Sequence, residues 1–289
     1  MQFMNIRSSY FSQFAIVRKV RAGALAFLVM GWVVGSASAS LGPLVNQPPT
    51  GSTPEQIIQR FAAKEAEFKT AREHYTYNQE VKIQTMDGDT VDGEYKQNIE
   101  ITFDDKGRRV EKVLYAPAPT LTRVQMTRED IDDIEKRLPF VLTTEDLPDY
   151  NIMYVGRQRV DELDTYVFDV APKKIEKGKR YFQGRIFVDQ QDMQIVLTDG
   201  RNVPEIRKKS EENLFPSFVT YREQVDGKYW FPTYTKAEDN LHFSSGDVHI
   251  REIVKYTNYK RFGSDVKIIF DGQEVKSAPD AKQPNQTKK

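Results

Sequence analysis

Residues able to do chemistry are few in this chain and poorly grouped. Its three histidines stand apart. His74 closes an expected helix, His242 lies near a turn, and His249 sits mid-strand with Glu252 three positions on, a spacing that puts the two on opposite faces of a sheet. Each reads as a surface or sheet residue rather than as an acid or base. The carboxylates Asp87, Asp89, Asp92 and Glu94 invite a calcium reading. A calcium loop counted from Asp87 needs glycine at its sixth place and a carboxylate at its twelfth, where Asp92 and Asn98 stand. A solvated hairpin turn fits better. No nucleophile elbow, phosphate loop, zinc-binding histidine pair or dinucleotide fingerprint occurs. With no acid paired to a nucleophile at fixed spacing, the sequence implies neither an enzyme nor a cofactor or metal.

The run PKKIEKGKR gathers Lys173, Lys174, Lys177, Lys179 and Arg180 in one connection. It reads as a solvated loop that also keeps a sheet edge from aggregating. The alternative is a patch for anionic head groups, giving transient membrane contact, or for an acidic surface on an envelope protein partner.

The first 39 residues have the three-part build of a secretory signal. Arg7, Arg18, Lys19 and Arg21 come first, then the apolar stretch AGALAFLVMGWVVG, then SASAS, with cleavage expected after Ala39. The apolar stretch is short of the roughly 20 residues that span a bilayer. There is no cysteine, so export brings no acceptor for a lipid anchor and no disulfide. A soluble periplasmic chain of about 250 residues can bury a core in a single domain. The signal holds four of the 42 basic residues and none of the 42 acidic ones, leaving a formal balance of minus four. That argues against nucleic acid as a partner.

Residues 40–53 read as a linker and 54–272 as the folded domain, with 273–289 a polar, disordered tail. Thr53, Pro54 and Gln56 form the start of a long helix, whose stripe is Ile57, Ile58, Phe61, Ala62 and Phe68. From Tyr75 the period changes to alternation, interrupted by a short helix capped by Thr127, with Ile131, Ile134 and Leu138 on one side and Pro139 at its end. Nine or ten strands and two helices give an α+β class dominated by one antiparallel sheet.

The hairpin RYFQGRIFVDQQDMQIVLTDGR carries the strongest pattern. Phe182, Ile186 and Val188, with Gly184 among them, share one face, and Met193, Ile195 and Leu197 repeat the alternation after the turn. Aromatics crowd the C-terminal strands, with Tyr229 and Phe231 on one face and Trp230 on the other. Two readings remain open. One is a well-covered core; the other is a curved sheet, sparsely roofed by two helices, whose apolar cavity is lined by Phe182, Ile186, Val188, Ile195, Leu197, Tyr229 and Phe231.

Three segments, GRIFVDQQDMQIV at 184–196, VDGKYWFPTYT at 225–235 and VHIREIVKYTNYKRF at 248–262, resemble the periplasmic outer-membrane lipoprotein carrier and sorting family with the LolA-like fold. The resemblance implies an open antiparallel half-barrel, a long N-terminal helix and a short second helix over its concave face, and a hydrophobic cavity for a lipid or lipoprotein acyl chain. Related proteins of this fold act instead in envelope-stress regulation by binding partner proteins. No motif assigns the carrier's functional arginine to a position here.

Overall fold

The computed structural model describes residues 40–262, apart from 105, 137–138, 206, 209–210 and 213, together with 269–270 and 273–274. The expected signal peptide, Leu138 and nearly all of the expected tail lie outside these residues. Helix α1 (Pro54–Arg72) begins as its sequence dictates. Thr53 Oγ1 accepts from the Gln56 amide at 3.3 Å, and Gln56 Oε1 accepts from the Thr53 amide at 2.9 Å. This reciprocal cap satisfies two amides that the first turn leaves without helical partners.

Strands β1 (Tyr75–Asp87), β2 (Thr90–Phe103) and β3 (Arg109–Tyr115) form a meander, followed by α2 (Arg128–Lys136) and a single turn of tighter helix at Leu147–Asp149. Then come β4 (Tyr150–Val160), β5 (Leu163–Pro172), β6 (Tyr181–Asp189) and β7 (Ile195–Val203). A small ladder, β8 (Arg207–Lys208) with β9 (Glu211–Glu212), precedes β10 (Phe218–Val225), β11 (Tyr229–Phe243) and β12 (Gly246–Arg261). A second small ladder pairs β13 (Ile269–Phe270) with β14 (Gln273–Glu274).

Ten strands make one open antiparallel sheet in the order β3-β2-β1-β12-β11-β10-β7-β6-β5-β4. Two meanders meet where β7 pairs β10, from Leu197 opposite Tyr221 to Gly200 opposite Phe218. The first and last long strands, β1 and β12, lie side by side. Gly184 and Gly200 face each other across β6 and β7, where a Cβ on Gly200 would come within 2.7 Å of the Phe182 ring. The absent side chains let that ring lie flat on the sheet.

Residues 40–47, expected as a linker, run antiparallel along the edge strand β4. The amides of Gly42 and Val45 donate to the carbonyls of Arg159 and Arg157 at 2.9 and 2.8 Å, and Arg157 donates back to Val45 at 2.9 Å. One sheet edge is thereby covered by the chain itself, which removes a template for unwanted pairing.

One sheet face packs against α1, with Ile57, Phe61 and Ala62 fully buried and the Phe61 ring 5.5 Å from that of Phe168 on β5. The opposite face carries a smaller cluster of Val160, Val167, Phe187, Val196 and Leu197. In the apolar stripe of α1 stands one charged residue, Glu65, wholly buried. Its carboxylate oxygens each lie 3.1 Å from Arg222 Nη1 of β10, and Oε1 also accepts from the Ile195 amide at 3.1 Å. Arg222 Nη2 donates to the Phe140 carbonyl. Burial raises the Glu65 pKa, while the guanidinium and the Ile195 amide oppose that rise. Removing one partner leaves an uncompensated charge in the core. Glu65→Ala and Arg222→Ala are each expected to lower the unfolding free energy by ~3–5 kcal/mol, and Glu65→Leu with Arg222→Met to restore most of it. Urea unfolding checks this, and single variants as stable as the parent would count against it.

Candidate ligand-binding cavity

The face beneath α1 is filled by side chains. Phe182, Ile186, Val188 and Ile195, expected as cavity lining, are at most 1% exposed. They pack in one cluster with Ile57 and Phe61 of α1 and with Phe140 and Leu142 from the segment after α2. Phe140 stacks on Phe182 with ring centres 4.3 Å apart and planes inclined by 22°. These four residues therefore build core, because the 139–143 segment plugs the space that two helices alone leave open. Leu197 goes to the other face. Phe187 pairs Leu197 but Val188 pairs Ile195, so the bulge at Val196 reverses the alternation that the sequence pattern assumes.

Of the basic run, Lys173, Lys174, Lys177 and Lys179 are exposed. Lys173 Nζ donates to the Pro148 carbonyl at 2.7 Å, and Lys179 pairs Glu176 at 2.5 Å. Arg180 does not belong to that surface. Its side chain is 5% exposed and is paired with Asp133 of α2, which a buried carboxylate needs more than a solvated loop does.

Open room lies at the C-terminal end of α1, in a cavity of ≈230 Å³. Phe68, Arg72 and Glu73 line it from α1 and its end, Tyr77 and Phe103 from β1 and β2, and Phe231, Tyr256 and Tyr259 from β11 and β12, with Arg109 and Pro139 on its wall. Phe231 is thus the one expected lining residue on this wall. Tyr229, half-buried, packs behind it, 6.4 Å from the Phe68 ring.

A second bulge shapes the cavity. Between Thr76 opposite Lys260 and Asn78 opposite Thr257, β12 carries an extra residue, and Asn258 takes the left-handed conformation at φ 59°. Asparagine tolerates that region better than most side chains. Tyr259 is stacked on Tyr77, with centres 5.0 Å apart, and its hydroxyl donates to the Pro232 carbonyl at 2.7 Å. Arg109 donates to the Tyr77 hydroxyl at 2.9 Å and to Gln79 Oε1 at 2.7 Å, and pairs with Glu111 at 2.8 Å. The crowding of aromatics in the C-terminal strands signals Phe231, Tyr256 and Tyr259. Tyr77, Phe103 and Arg72 join them only through the pairing of β1 with β12.

No family model and no curated protein matches the chain. Solved structures do show similarity. A DUF1329 family protein from Desulfovibrio piger is 14% identical, with 75% of this chain and 96% of that chain covered, at a TM-score of 0.39. A LolA superfamily protein from Nitrosomonas europaea is 14% identical over 73% of this chain and 95% of that one, at 0.36. The MucA/MucB complex from Pseudomonas aeruginosa gives 9% identity over 70% and 100% of the two chains, at 0.22. The second belongs to the superfamily that the three strand motifs resemble. At these scores the architecture rests on this chain's own hydrogen-bond ladder. Among the described residues, no helix is long and apolar enough to cross a membrane.

Away from this cavity, the filled face holds an acidic pocket with a void of only ≈20 Å³, lined by Asp130 and Asp133 of α2, Asn202 of β7 and Glu252 of β12. That is room for about one water. Glu252 Oε1 and Asn202 Oδ1 have no hydrogen-bond partner among the described residues. Burial, then the charges of Asp130 and Asp133, push the Glu252 pKa up to about 8. Arg180, on the far side of Asp133, already serves that carboxylate. Asp130 is raised to about 6 by burial, although the Thr127 amide and hydroxyl and the Leu214 amide pull it back. In the unfolded chain Glu252 titrates near the ordinary 4.5, so between that value and about 8 the folded protein keeps the extra proton. Its contribution to stability is full below the unfolded pKa and is lost as pH rises through the folded one. The unfolding free energy should fall by a few kcal/mol from about pH 5 to about pH 9, and Glu252→Gln should flatten that slope. Urea unfolding across this range checks it; a slope unchanged in the variant would overturn the assignment.

Proposed function

We propose that this chain is a non-catalytic binding protein of the periplasm that shelters the apolar part of a lipid or lipoprotein acyl chain in the cavity at the end of α1. The observation that carries the reading is the ≈230 Å³ of space walled by Phe68, Tyr77, Phe103, Phe231, Tyr256 and Tyr259, while the residues expected to line a cavity further along the face are packed in the core. Apolar contact of this kind is non-directional and scales with what is removed from water. At ~0.8 kcal/mol per methylene, six methylenes seated there contribute ~5 kcal/mol, enough for a carrier that must also release its cargo. The volume falls below the 300 Å³ or so at which sites for drug-sized ligands begin, so the cavity takes the end of a chain. Export by the signal in residues 1–39 supplies the compartment.

A second reading, an envelope protein-interaction domain, is favoured by the uncovered edge. Strand β3 pairs only β2 within the sheet and exposes Val110, Val113, Leu114 and Tyr115, each between 45% and 55% accessible. An extended segment of a partner could add to such an edge.

Purified protein lacking residues 1–39 should release lipid into organic solvent, or take up an apolar fluorescent dye and give it back to added lipid. Phe103→Asp, on the cavity wall, should weaken the dye tenfold or more. Ile186→Val, in the filled core, should cost ~1 kcal/mol of stability and leave dye affinity unchanged. A preparation free of lipid that takes up no dye, yet captures a protein through β3, would replace the first reading with the second.

A further inference from the structure

The cavity wall includes a cation whose presence core packing does not explain. Three arginines approach this end of α1. Both Nη groups of Arg222 are taken by Glu65 and by the carbonyls of Ile195 and Phe140, and the residue, with its Nε unpartnered among the described residues, is buried in the core and does not line the cavity. Arg109 is held by Tyr77, Gln79 and Glu111. Arg72 lines the cavity half-buried, and among the described residues no hydrogen bond or ion pair engages its guanidinium, not even with Glu73 beside it on the rim. A guanidinium carries five donors in one plane and stays charged in proteins. Its place in the last turn of α1 suits the helix dipole, as does that of Lys69. Lys69, however, is exposed and lies 3.8 Å from Glu145, whereas Arg72 lines the cavity together with Tyr77, Phe231 and Tyr259. Desolvation there, with the Arg222 charge, pushes its pKa down against the opposing influence of Tyr77, Glu65 and Glu73, and a bound anion would offset the net cost further.

We infer that the ligand of this cavity is an amphipathic anion, whose carboxylate or phosphate head group seats on Arg72 while its apolar body lies against Tyr77, Phe231 and Tyr259. The planar fork of the guanidinium matches two oxygens of such a head group at once. The aromatic rings below supply apolar area; the Tyr259 O–H is spent on the Pro232 carbonyl, while the Tyr77 hydroxyl, which accepts from Arg109, still has its own O–H to donate toward the head group. This rests on the reading of the cavity as the ligand site and adds the sign of the ligand's charge.

The test titrates dodecanoate, dodecanol and dodecylammonium, all below their aggregation limits, against a neutral dye held by the protein lacking residues 1–39. Dodecanoate should displace the dye at a concentration at least tenfold lower than dodecanol, and dodecylammonium least well. In Arg72→Met the advantage of dodecanoate over dodecanol should vanish with dodecanol unchanged, and Arg72→Lys should retain part of it. Comparison of the three compounds on the unaltered protein decides the matter even if a variant folds poorly. Equal displacement by acid and alcohol overturns the inference while leaving the cavity reading intact. Failure of all three to displace a bound dye, or of the dye to bind, removes both.

Discussion

Arg222 uses one guanidinium to tie three separate parts of the chain to strand β10: α1 through Glu65, the start of β7 through the Ile195 carbonyl, and the segment after α2 through the Phe140 carbonyl. A buried ion pair is weak evidence for stability, since desolvation cancels much of the attraction. What it contributes is position. Apolar packing alone leaves a helix free to slide or rotate by a turn over a sheet of similar side chains, whereas a charge in the stripe has one place where it is satisfied. Glu65 lies between Phe61 and Phe68, so the same contact sets which rings of α1 meet which strands. Phe68 ends 5.1 Å from Phe231 and under the Arg222 guanidinium, 5.2 Å from ring to carbon. Arg72, one turn on, is thereby carried over the β1–β12 seam.

That placement explains why the space is at one end rather than along the sheet. Two helices of 19 and nine residues cannot cover a ten-stranded face. The chain closes the gap with Pro139, Phe140 and Leu142, all buried, which interleave with Phe182 as closely as rings in a solid. The plug stops near Pro139, and the cavity begins there.

The elements were legible where local chemistry decides. The Thr53 cap and the alternation of the strands need no distant partner. Faces were legible only up to the bulges. One extra residue at Val196 moves Leu197 across the sheet, and one at Asn258 turns Tyr259 inward, and neither leaves a mark in composition. The cavity itself was out of reach because it is assembled by β1 with β12, strands at opposite ends of the domain. The edge covering by residues 40–47 was hidden for another reason: proline and glycine there read as punctuation, while the pairing with β4 is set by backbone amides alone. One signal was present in plain view. Val248, Ile250, Val254 and Tyr256 share a face of β12, and Glu252 shares it too. A lone acid in an apolar alternation marks a buried polar pocket more surely than its spacing from His249.

Along that single face of β12 the environment changes sign. Glu252 meets the acids Asp130 and Asp133, the second of them paired with Arg180. Four and seven residues further, or about 13 and 23 Å at strand spacing, Tyr256 and Tyr259 look into the cavity beside Arg72. Val254, fully buried, separates the two. Burial and the neighbouring acids raise the pKa of Glu252 at one end, and a further anion there would meet repulsion in a medium that screens poorly. The guanidinium end, where Arg72 and Arg109 stand with Glu73 around ≈230 Å³ of room, has the opposite balance, and the proposed ligand, an apolar chain with an anionic head, rests on that difference.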